Sequence, residues 1–283
     1  MTIADQELTS LAASHDIISI GMLADEVRRR RHGPRTTFVR VADVAAELDA
    51  PIAAPPAAGE LRIVGAPASR AAAVERVRRV VEAARGVPVT GFSLADLEQV
   101  AARESITLRA LLEELRAAGL ELVAEAPIDL LHDPRRSIEE VNIAGLSLAR
   151  LTVDRADATD SLPLLKQVAE LQRAVGVVRA FAPLARRVNP AVPTTGFDDV
   201  KRIALARVVV DNVPSIQVDW SIYGPKLAQV ALTVGADDVD AVSADDDLSQ
   251  GRRRATVEEI RRNIRAAAQE PIERNGRFET LVS

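Results

Sequence analysis

The sequence predicts an α/β fold: a TIM-like (β/α) barrel, complete or partial, with an N-terminal helix and a C-terminal helical extension. Short β-branched runs alternate with longer helical patterns along the 283 residues, and 47% of the chain is hydrophobic. Such alternation implies parallel βαβ units, and about six to eight of them in one chain favour a barrel over an open sheet. Aromatic residues make up only 2% of the chain, so we expect aliphatic side chains to fill the core.

The first predicted element is the N-terminal helix. Asp16 is a typical N-cap residue, and Ile17, Ile20 and Ala24 follow at helical spacing before Gly33 ends the pattern. Consecutive arginines in the last turn complement the negative end of the helix dipole. This placement favours a solvated helix end over a phosphate-binding patch.

Seven strands and six further helices follow from the same patterns. The strands are predicted at 36–41, 61–64, 87–92, 120–124, 141–146, 177–184 and 215–220. The helices are predicted at 74–84, 108–115, 164–175, 198–211, 225–234 and 256–268. A stretch rich in Ala and Pro, 45–59, predicts a loop between the first two strands, and an acidic stretch, 236–251, predicts another.

We predict a single domain over 1–283, with an N-terminal helical segment (1–35), the barrel (36–235) and a C-terminal extension (236–283). The net charge is −5 and the pI is about 5.4, which argues against a nucleic-acid partner because such binding depends on neutralising phosphates. No stretch approaches the roughly 18 apolar residues of a membrane span, and the start lacks a leader pattern. We therefore expect a cytoplasmic protein.

The chain contains no cysteine, which excludes disulfides, thiolate nucleophiles and thiolate-bound metals or iron–sulfur clusters. Its histidines, His15, His32 and His132, include no pair at the i, i+4 spacing of a helical metal site. Phosphate-binding, dinucleotide-binding and nucleophile-elbow motifs are also missing from the sequence. We therefore expect no metal site.

The last predicted strand and the helix after it carry most of the candidate ligand-binding residues. Along 215–220, apolar side chains alternate with Gln217 and Asp219, which predicts one buried and one polar face. In a barrel, the turn into the helix that starts at Gly224 lies at the face where sites are built. The candidate residues are Arg179, Asp219, Trp220, Tyr223, Lys226 and Gln229. Either they hold a polar ligand, or Trp220 belongs to the core and Lys226 is a solvated helix residue.

Other acidic side chains have two interpretations. Asp237, Asp238, Asp240 and the run 245–247 either bind a cation or form a solvated acidic loop, and the loop is favoured. Asp96 and Asp219 are candidates for acid–base work if a different chemistry survives.

Long runs of the sequence resemble one enzyme family. They are TTGFDDVKRIALARVVVDN (194–212), GPKLAQVAL (224–232), GADDVD (235–240) and PIERN (271–275), with IGMLADEVRRRRHG (20–33) nearer the start. In this order they resemble the radical S-adenosylmethionine enzymes of menaquinone biosynthesis: aminofutalosine synthase, dehypoxanthinyl futalosine cyclase and the related deazaflavin synthases. The resemblance covers most of the chain, with a weaker centre, and implies their barrel fold.

The same resemblance indicates what has been lost. In that family, a C-x3-C-x2-C triplet after the first strand holds an iron–sulfur cluster that binds S-adenosylmethionine. The corresponding stretch here, 41–60, has neither Cys nor His, and Gly65, Ala66 and Pro67 stand where the family has a glycine pair. Two further segments, 123–129 and 143–151, depart from a glycine-rich and a Gly-His-containing pattern. We therefore expect no cluster, no bound S-adenosylmethionine and no radical chemistry by this chain alone.

Two functions fit a preserved scaffold with an altered reaction centre. The first is a non-catalytic partner or regulator that pairs with an active family member or another menaquinone-pathway enzyme. The second is a cluster-independent enzyme or binding protein for a futalosine-like nucleoside or an aromatic carboxylate. An exposed apolar patch favours the first function, and a deep polar pocket at the barrel mouth favours the second.

Overall fold

The computed structural model describes residues 5–155, 161–187, 194–245 and 255–281. The helices in these ranges are α1 (Asp5–Ala13), α2 (Ile17–His32), α3 (Arg70–Ala84), α4 (Leu94–Arg103), α5 (Leu108–Ala117), α6 (Pro134–Ile143), α7 (Ser161–Val175), α8 (Gly196–Val209), α9 (Trp220–Thr233) and α10 (Val257–Ala266). The strands are β1 (Arg35–Ala45), β2 (Glu60–Val64), β3 (Val89–Ser93), β4 (Leu122–Pro127), β5 (Ser147–Val153), β6 (Val178–Ala185), β7 (Ser215–Asp219), β8 (Asp238–Ser243) and β9 (Glu270–Arg274).

Strands β1 to β8 are parallel and close into a barrel. Each strand from β2 to β8 pairs with its neighbour in sequence order, and β1 pairs with β8 along 37–41 and with β2 along 41–45. Because β1 pairs with both β8 and β2, the sheet closes on itself. The helices cover the outside of this barrel. The predicted TIM-like barrel is confirmed, and it is complete.

A ninth strand adds to the base of the barrel, which is the end where the strands begin. β9 runs parallel to β1 and pairs 270–274 with 35–39, on the edge of β1 that β2 joins further along. The backbone N–H of Gly59 donates to Arg40 O, and that of Gly276 donates to Gly59 O, both at 2.9 Å. These bonds fasten β9 beneath β2.

Two helix starts are fixed by capping side chains, and the first of these caps was predicted from the sequence. Asp16 caps α2 by accepting a 3.1 Å hydrogen bond from the Ser19 N–H. Thr195 caps α8, and the Asp198 carboxylate accepts a 2.8 Å hydrogen bond from the Thr195 N–H, so the two residues form a capping box. α8 packs against α2 through a buried face that includes Ile203.

Two element predictions were wrong in placement, and two helices of the barrel were not predicted. The range 141–146 was predicted as a strand, but α6 continues through Ile143 and β5 begins at Ser147. The predicted loop 236–251 contains β8, so the barrel extends beyond residue 235. α4, which follows β3 directly, and α6 were not among the predicted helices. Both helices contain only 10 residues, so their periodic patterns are short.

The Ala- and Pro-rich stretch between β1 and β2 is a loop, as predicted, and it is held by an arginine from α3. Arg76 donates to the carbonyl oxygens of Ala45 and Ala50 at 2.8 and 3.0 Å. Among the described residues, helices are too short or too polar to cross a bilayer.

Candidate functional site at the mouth of the barrel

A network of charged side chains crosses the barrel interior. Arg62 on β2, Arg150 on β5 and Asp240 on β8 are all buried. Arg62 donates to both carboxylate oxygens of Asp240, at 2.8 and 3.3 Å, and Arg150 donates to Asp240 Oδ2. β8 is not adjacent to β2 or β5 in the sheet, so these contacts run through the lumen.

Glu60 completes this central layer. Its Oε1 accepts hydrogen bonds from Arg62 Nε at 2.7 Å and from the Thr90 hydroxyl at 2.6 Å. Burial raises the pKa of the Asp240 carboxyl, but the charges of Arg150 and Arg62 outweigh burial and hold this pKa well below its usual range. The same balance, with Arg62 as the main opposing charge, lowers the pKa of Glu60. Both carboxylates are therefore ionised at neutral pH.

A second ion pair closes the base of the barrel. Arg274 on β9 donates to both oxygens of Asp238 at 2.7 Å, and the two side chains are 2% and 0% exposed. The Gln217 amide also donates to Asp238 Oδ2 at 2.7 Å. Paired, two-point contacts of this kind satisfy both charges without water. This ion pair therefore occupies the base of the barrel with neutralised, buried charge.

A cavity of about 200 Å³ lies at the opposite end, the mouth of the barrel, where the strands terminate. Its charged lining residues are Asp43, Arg62, Asp96, Glu125, Arg150, Arg186 and Asp219. The volume is below the roughly 300–1,000 Å³ of pockets that enclose drug-sized ligands. The cavity therefore fits a small ligand, or one charged group of a larger ligand that extends outward.

The arginines at the mouth are incompletely hydrogen-bonded. Arg186, just after β6, donates to Asp219 Oδ2 at 2.7 Å and to Glu125 Oε2 at 2.9 Å. Arg150 Nε lies 3.8 Å from the same Glu125 oxygen, which is beyond hydrogen-bond range. Within the part of the chain that the structure describes, the Nε atoms of Arg150 and Arg186 are buried and have no acceptor.

The electrostatic setting of the mouth is uneven. Burial and the neighbouring Arg62 guanidinium lower the pKa of Arg150, which indicates that its charge is under-compensated. Burial, with the added charge of Glu125, raises the pKa of the Asp96 carboxyl. The cavity therefore presents an under-neutralised cation on one wall and a carboxyl that binds its proton more tightly than usual on another.

The backbone at the mouth is also unusual. Phe92 and Ala241, both of which line the cavity, have positive φ values of 62° and 56°. The pairing of β1 with β8 shifts register between Phe38 and Arg40, which places an extra residue in β8 beside Asp240. Left-handed non-glycine residues and β-bulges cluster at functional sites, where they re-aim side chains. This observation marks the mouth as the candidate site.

The structure brings together two of the candidate residues predicted from sequence. Asp219 lines the cavity, pairs with Arg186 and caps α9 by accepting a 3.0 Å hydrogen bond from the Ile222 N–H. Tyr223 is half-buried nearby, and its hydroxyl donates to the Ala185 carbonyl oxygen. Trp220 is buried in the core at 2% exposure, which agrees with the alternative interpretation of that residue.

The other three candidates lie away from the cavity. Arg179 is exposed near the start of β6, and Lys226 is exposed beyond the kink of α9 at Gly224. Gln229 lines a separate external groove between α9 and α10. These three residues do not converge with Asp219, so the predicted cluster is not formed as a unit.

Two predictions about polar residues need correction. The polar face of β7 is formed by Gln217 and Asp219, as predicted, but it is buried like the rest of the strand and bonds to Asp238 and Arg186. The acidic residues near β8 were expected to be solvated loop charge or a cation site, but Asp237, Asp238 and Asp240 are buried and paired with arginines. Asp246 and Asp247 lie outside the described residues.

Sequence reasoning missed the arginines of the site. Arg62 lies within the predicted strand 61–64, whereas Arg150 and Arg186 come shortly after the predicted strands 141–146 and 177–184. The available signal was a single arginine within an otherwise buried parallel strand, as in ELRIV and SLARLTV. Parallel strands are usually near-continuous hydrophobic runs, so an isolated charge there indicates a lumen position.

The overall fold matches that of a solved enzyme structure. Methylornithine synthase (PylB) superposes with a TM-score of 0.68 at 12% identity, over 96% of this chain and 94% of that one. At this identity the likeness shows the fold alone. The chain therefore shares the (β/α) barrel fold of that protein.

Sequence comparisons identify more specific similarities than the fold does. Residues 181–282 match the CofH/MqnC C-terminal region. Aminodeoxyfutalosine synthase of Thermus thermophilus is 25% identical over 236 residues, 72% of this chain and 63% of that protein. Cyclic dehypoxanthine futalosine synthase of Streptomyces coelicolor is 26% identical over 219 residues, 69% of this chain and 55% of that protein. The sequence is thus similar to enzymes of the menaquinone and CofH type, as the sequence motifs predicted. The chain spans less than two thirds of the length of these two relatives.

The residues of the site do not fit the cluster that this resemblance implies. A cluster of this kind requires thiolate ligands, whereas the chain has no cysteine and the cavity lining supplies guanidinium and carboxylate groups. The loop after β1 contributes backbone carbonyl oxygens that are bound by Arg76. The reactive groups that this site offers are therefore guanidinium and carboxylate groups.

Proposed function

We propose that the chain is a pseudoenzyme of this family, without a cluster, that binds a small molecule at the barrel mouth. The ligand class is a carboxylate-bearing or nucleoside-like compound related to futalosine chemistry. The observation that carries this proposal is the pair of buried, acceptor-free Nε donors of Arg150 and Arg186 on the cavity wall. Buried donors without acceptors are costly, and a ligand oxygen relieves that cost.

Three properties of the site support binding over a purely structural role. The cavity at the mouth is polar and partly open, whereas the buried Arg274–Asp238 ion pair occupies the base. The strained residues Phe92 and Ala241 lie at the cavity rather than elsewhere in the barrel wall. Carboxyl ends of barrel strands are the face on which TIM-barrel sites are built.

The test is calorimetric and thermal-shift binding of the purified chain against aminofutalosine, futalosine, aromatic carboxylates, nucleosides and S-adenosylmethionine. Specific binding stabilises the folded state, so a ligand at a hundred times its Kd adds about 2.7 kcal/mol. We expect saturable binding of a carboxylate-bearing compound and none of S-adenosylmethionine. Silence across the panel, or preferential binding of S-adenosylmethionine, contradicts the proposal.

Two variants locate the binding site. Arg150→Met removes the under-compensated guanidinium, while Asp240 keeps its two bonds to Arg62. We expect at least a ten-fold loss of affinity. Arg179→Met is the matched control, because Arg179 is an exposed arginine on β6 outside the cavity; its affinity should stay within about two-fold of the parent.

A protein-partner role is the second candidate. Ile18 and Met22 are 73% and 70% exposed and lie one turn apart on α2. Such a pair is small for an interface, since stable complexes bury about 800 Å² on each partner. Co-purification with an aminodeoxyfutalosine synthase, lost in Ile18→Asp and Met22→Asp variants, supports this role; a monomeric chain in the presence of that enzyme argues against it.

A further inference from the structure

Glu125 occupies a distinctive place at the mouth. Its Oε2 accepts a 2.9 Å hydrogen bond from Arg186 Nη2 and lies 3.8 Å from Arg150 Nε. The side chain is 30% exposed, whereas Asp240 and Asp219 are 2% and 8% exposed. Glu125 is therefore the most accessible of the three carboxylates that face these arginines.

Glu125 is also the least firmly held of the three. Asp240 binds two arginines, and Asp219 binds Arg186, the Ser221 hydroxyl and the Ile222 N–H. Among the described residues, Glu125 Oε2 accepts one hydrogen bond at this site, from Arg186. Moving Glu125 aside breaks one bond, whereas moving either aspartate breaks at least two.

We propose that Glu125 is an internal occupant of an oxyanion subsite formed by Arg150 and Arg186, and that a ligand carboxylate or other singly charged oxyanion binds there by replacing it. The inference rests on the proposed function for the place of the ligand. It adds the charged group that the ligand carries, the arginines that receive it and the residue that competes with it.

Charge balance favours such an exchange. Arg150 is buried and Arg186 is partly buried. Asp240 and Asp219 each neutralise part of this charge. Losing a facing anion from such a layer is costly. Replacing one singly charged carboxylate by another keeps the net charge of the layer unchanged. A ligand with two oxygens can also accept from the Nε atoms that have no acceptor now, whereas Glu125 lies too far from Arg150 Nε to do so.

Affinity for simple anions tests the subsite without requiring the natural ligand. Glu125→Gln keeps the shape of the side chain and removes the competing charge. Sodium formate and sodium phosphate are titrated against sodium chloride at constant ionic strength, with the unfolding midpoint as the readout. We expect Glu125→Gln to bind formate at least ten-fold more tightly than the parent chain, and Arg150→Met in the same background to lose this gain.

Glu121→Gln is the matched control, since Glu121 is an exposed glutamate that pairs with Arg277 outside the cavity. An equal formate response in Glu125→Gln, Glu121→Gln and the parent overturns the subsite. A gain with phosphate and not with formate assigns a phosphoryl oxyanion in place of a carboxylate. If Glu125→Gln does not fold, Glu125→Asp withdraws the carboxylate and should give a gain of about three-fold; no gain in that variant overturns the inference.

Different results would contradict the subsite and the proposed function. If a futalosine-related ligand binds the parent and Glu125→Gln equally well, the function stands and the subsite does not. If formate binds Glu125→Gln tightly but the panel of pathway compounds stays silent, the subsite stands and the proposed ligand class does not.

Discussion

Arg62 and Asp240 are 178 residues apart in the sequence and form a two-point ion pair inside the barrel, at 2.8 and 3.3 Å. Asp240 also accepts from Arg150, so one buried carboxylate faces two buried guanidinium groups. This carboxylate joins β2, β5 and β8 through the lumen, which makes it the central electrostatic contact of the interior.

Replacing Asp240 by Asn is expected to destabilise the protein by about 3–5 kcal/mol, because two buried arginines lose their shared counter-charge. Urea unfolding followed by circular dichroism measures the change. Glu121→Gln removes an exposed ion pair with Arg277 and should cost less than about 1 kcal/mol. Equal losses in the two variants contradict a central role for Asp240.

Acid should weaken the parent chain through the same residue. The pKa of Asp240 is depressed in the folded state, so its contribution to stability is present above the unfolded-state pKa near ~3.9 and is lost as pH falls below that value towards the folded-state pKa. Asp240→Asn should lack this part of the acid slope. The test is to measure the free energy of unfolding of both chains between about pH 2 and pH 6. If this free energy changes with pH equally in both chains, Asp240 is not the source of the acid sensitivity.

Variants at the base of the barrel can separate the contribution of charge to stability from that of packing. Arg274→Met leaves Asp238 buried without its guanidinium partner and should cost about 3–5 kcal/mol. Combining it with Asp238→Leu removes both charges, and we expect much of that loss to be recovered. Thermal and urea unfolding of the single and double variants measure the coupling. A double variant as unstable as Arg274→Met would show that packing, not charge, dominates there.

Asp96→Asn should stabilise the protein at neutral pH. Burial and the Glu125 charge raise the folded-state pKa of Asp96, so the folded parent binds a proton more readily than the unfolded chain. The stability of the parent therefore falls as pH rises through that folded-state pKa, and the penalty is absent below the unfolded-state value. The advantage of Asp96→Asn should shrink as pH falls to about 4. Asp49→Asn, at an exposed position, is the control and should show no such trend.

The fold could be predicted because its elements are strongly patterned. Thr195 with Asp198, and Asp16 before α2, are local signals that need no tertiary contact. β8 was missed because its acidic sequence, DVDAVS, has the composition of a loop until its partners are known. Asp238 and Asp240 become strand residues because Arg274, Arg62 and Arg150 neutralise them from other strands.

The site was harder to predict than the fold because its residues are distant in sequence. Asp219 was identified from the strand-to-helix turn, which is a local feature of barrels. Arg62, Arg150 and Arg186 belong to three different strands or strand ends, and no spacing rule links them. Lys226 and Gln229 have the same side-chain chemistry as binding residues, but the helical turn carries them around α9 and away from the mouth.

The pairing of β9 with β1 has a consequence for the order in which the protein assembles. Arg35 and Glu270 are partners across 235 residues, so the base of the barrel forms only after nearly all of the barrel sequence has left the ribosome. Loop closure over such distances is slow, and until it occurs Asp238 lacks Arg274 and the beginning of β1 lacks a partner on one edge. A nascent chain that stops before β9 is therefore expected to expose that edge, which is the state most open to chaperones and to aggregation.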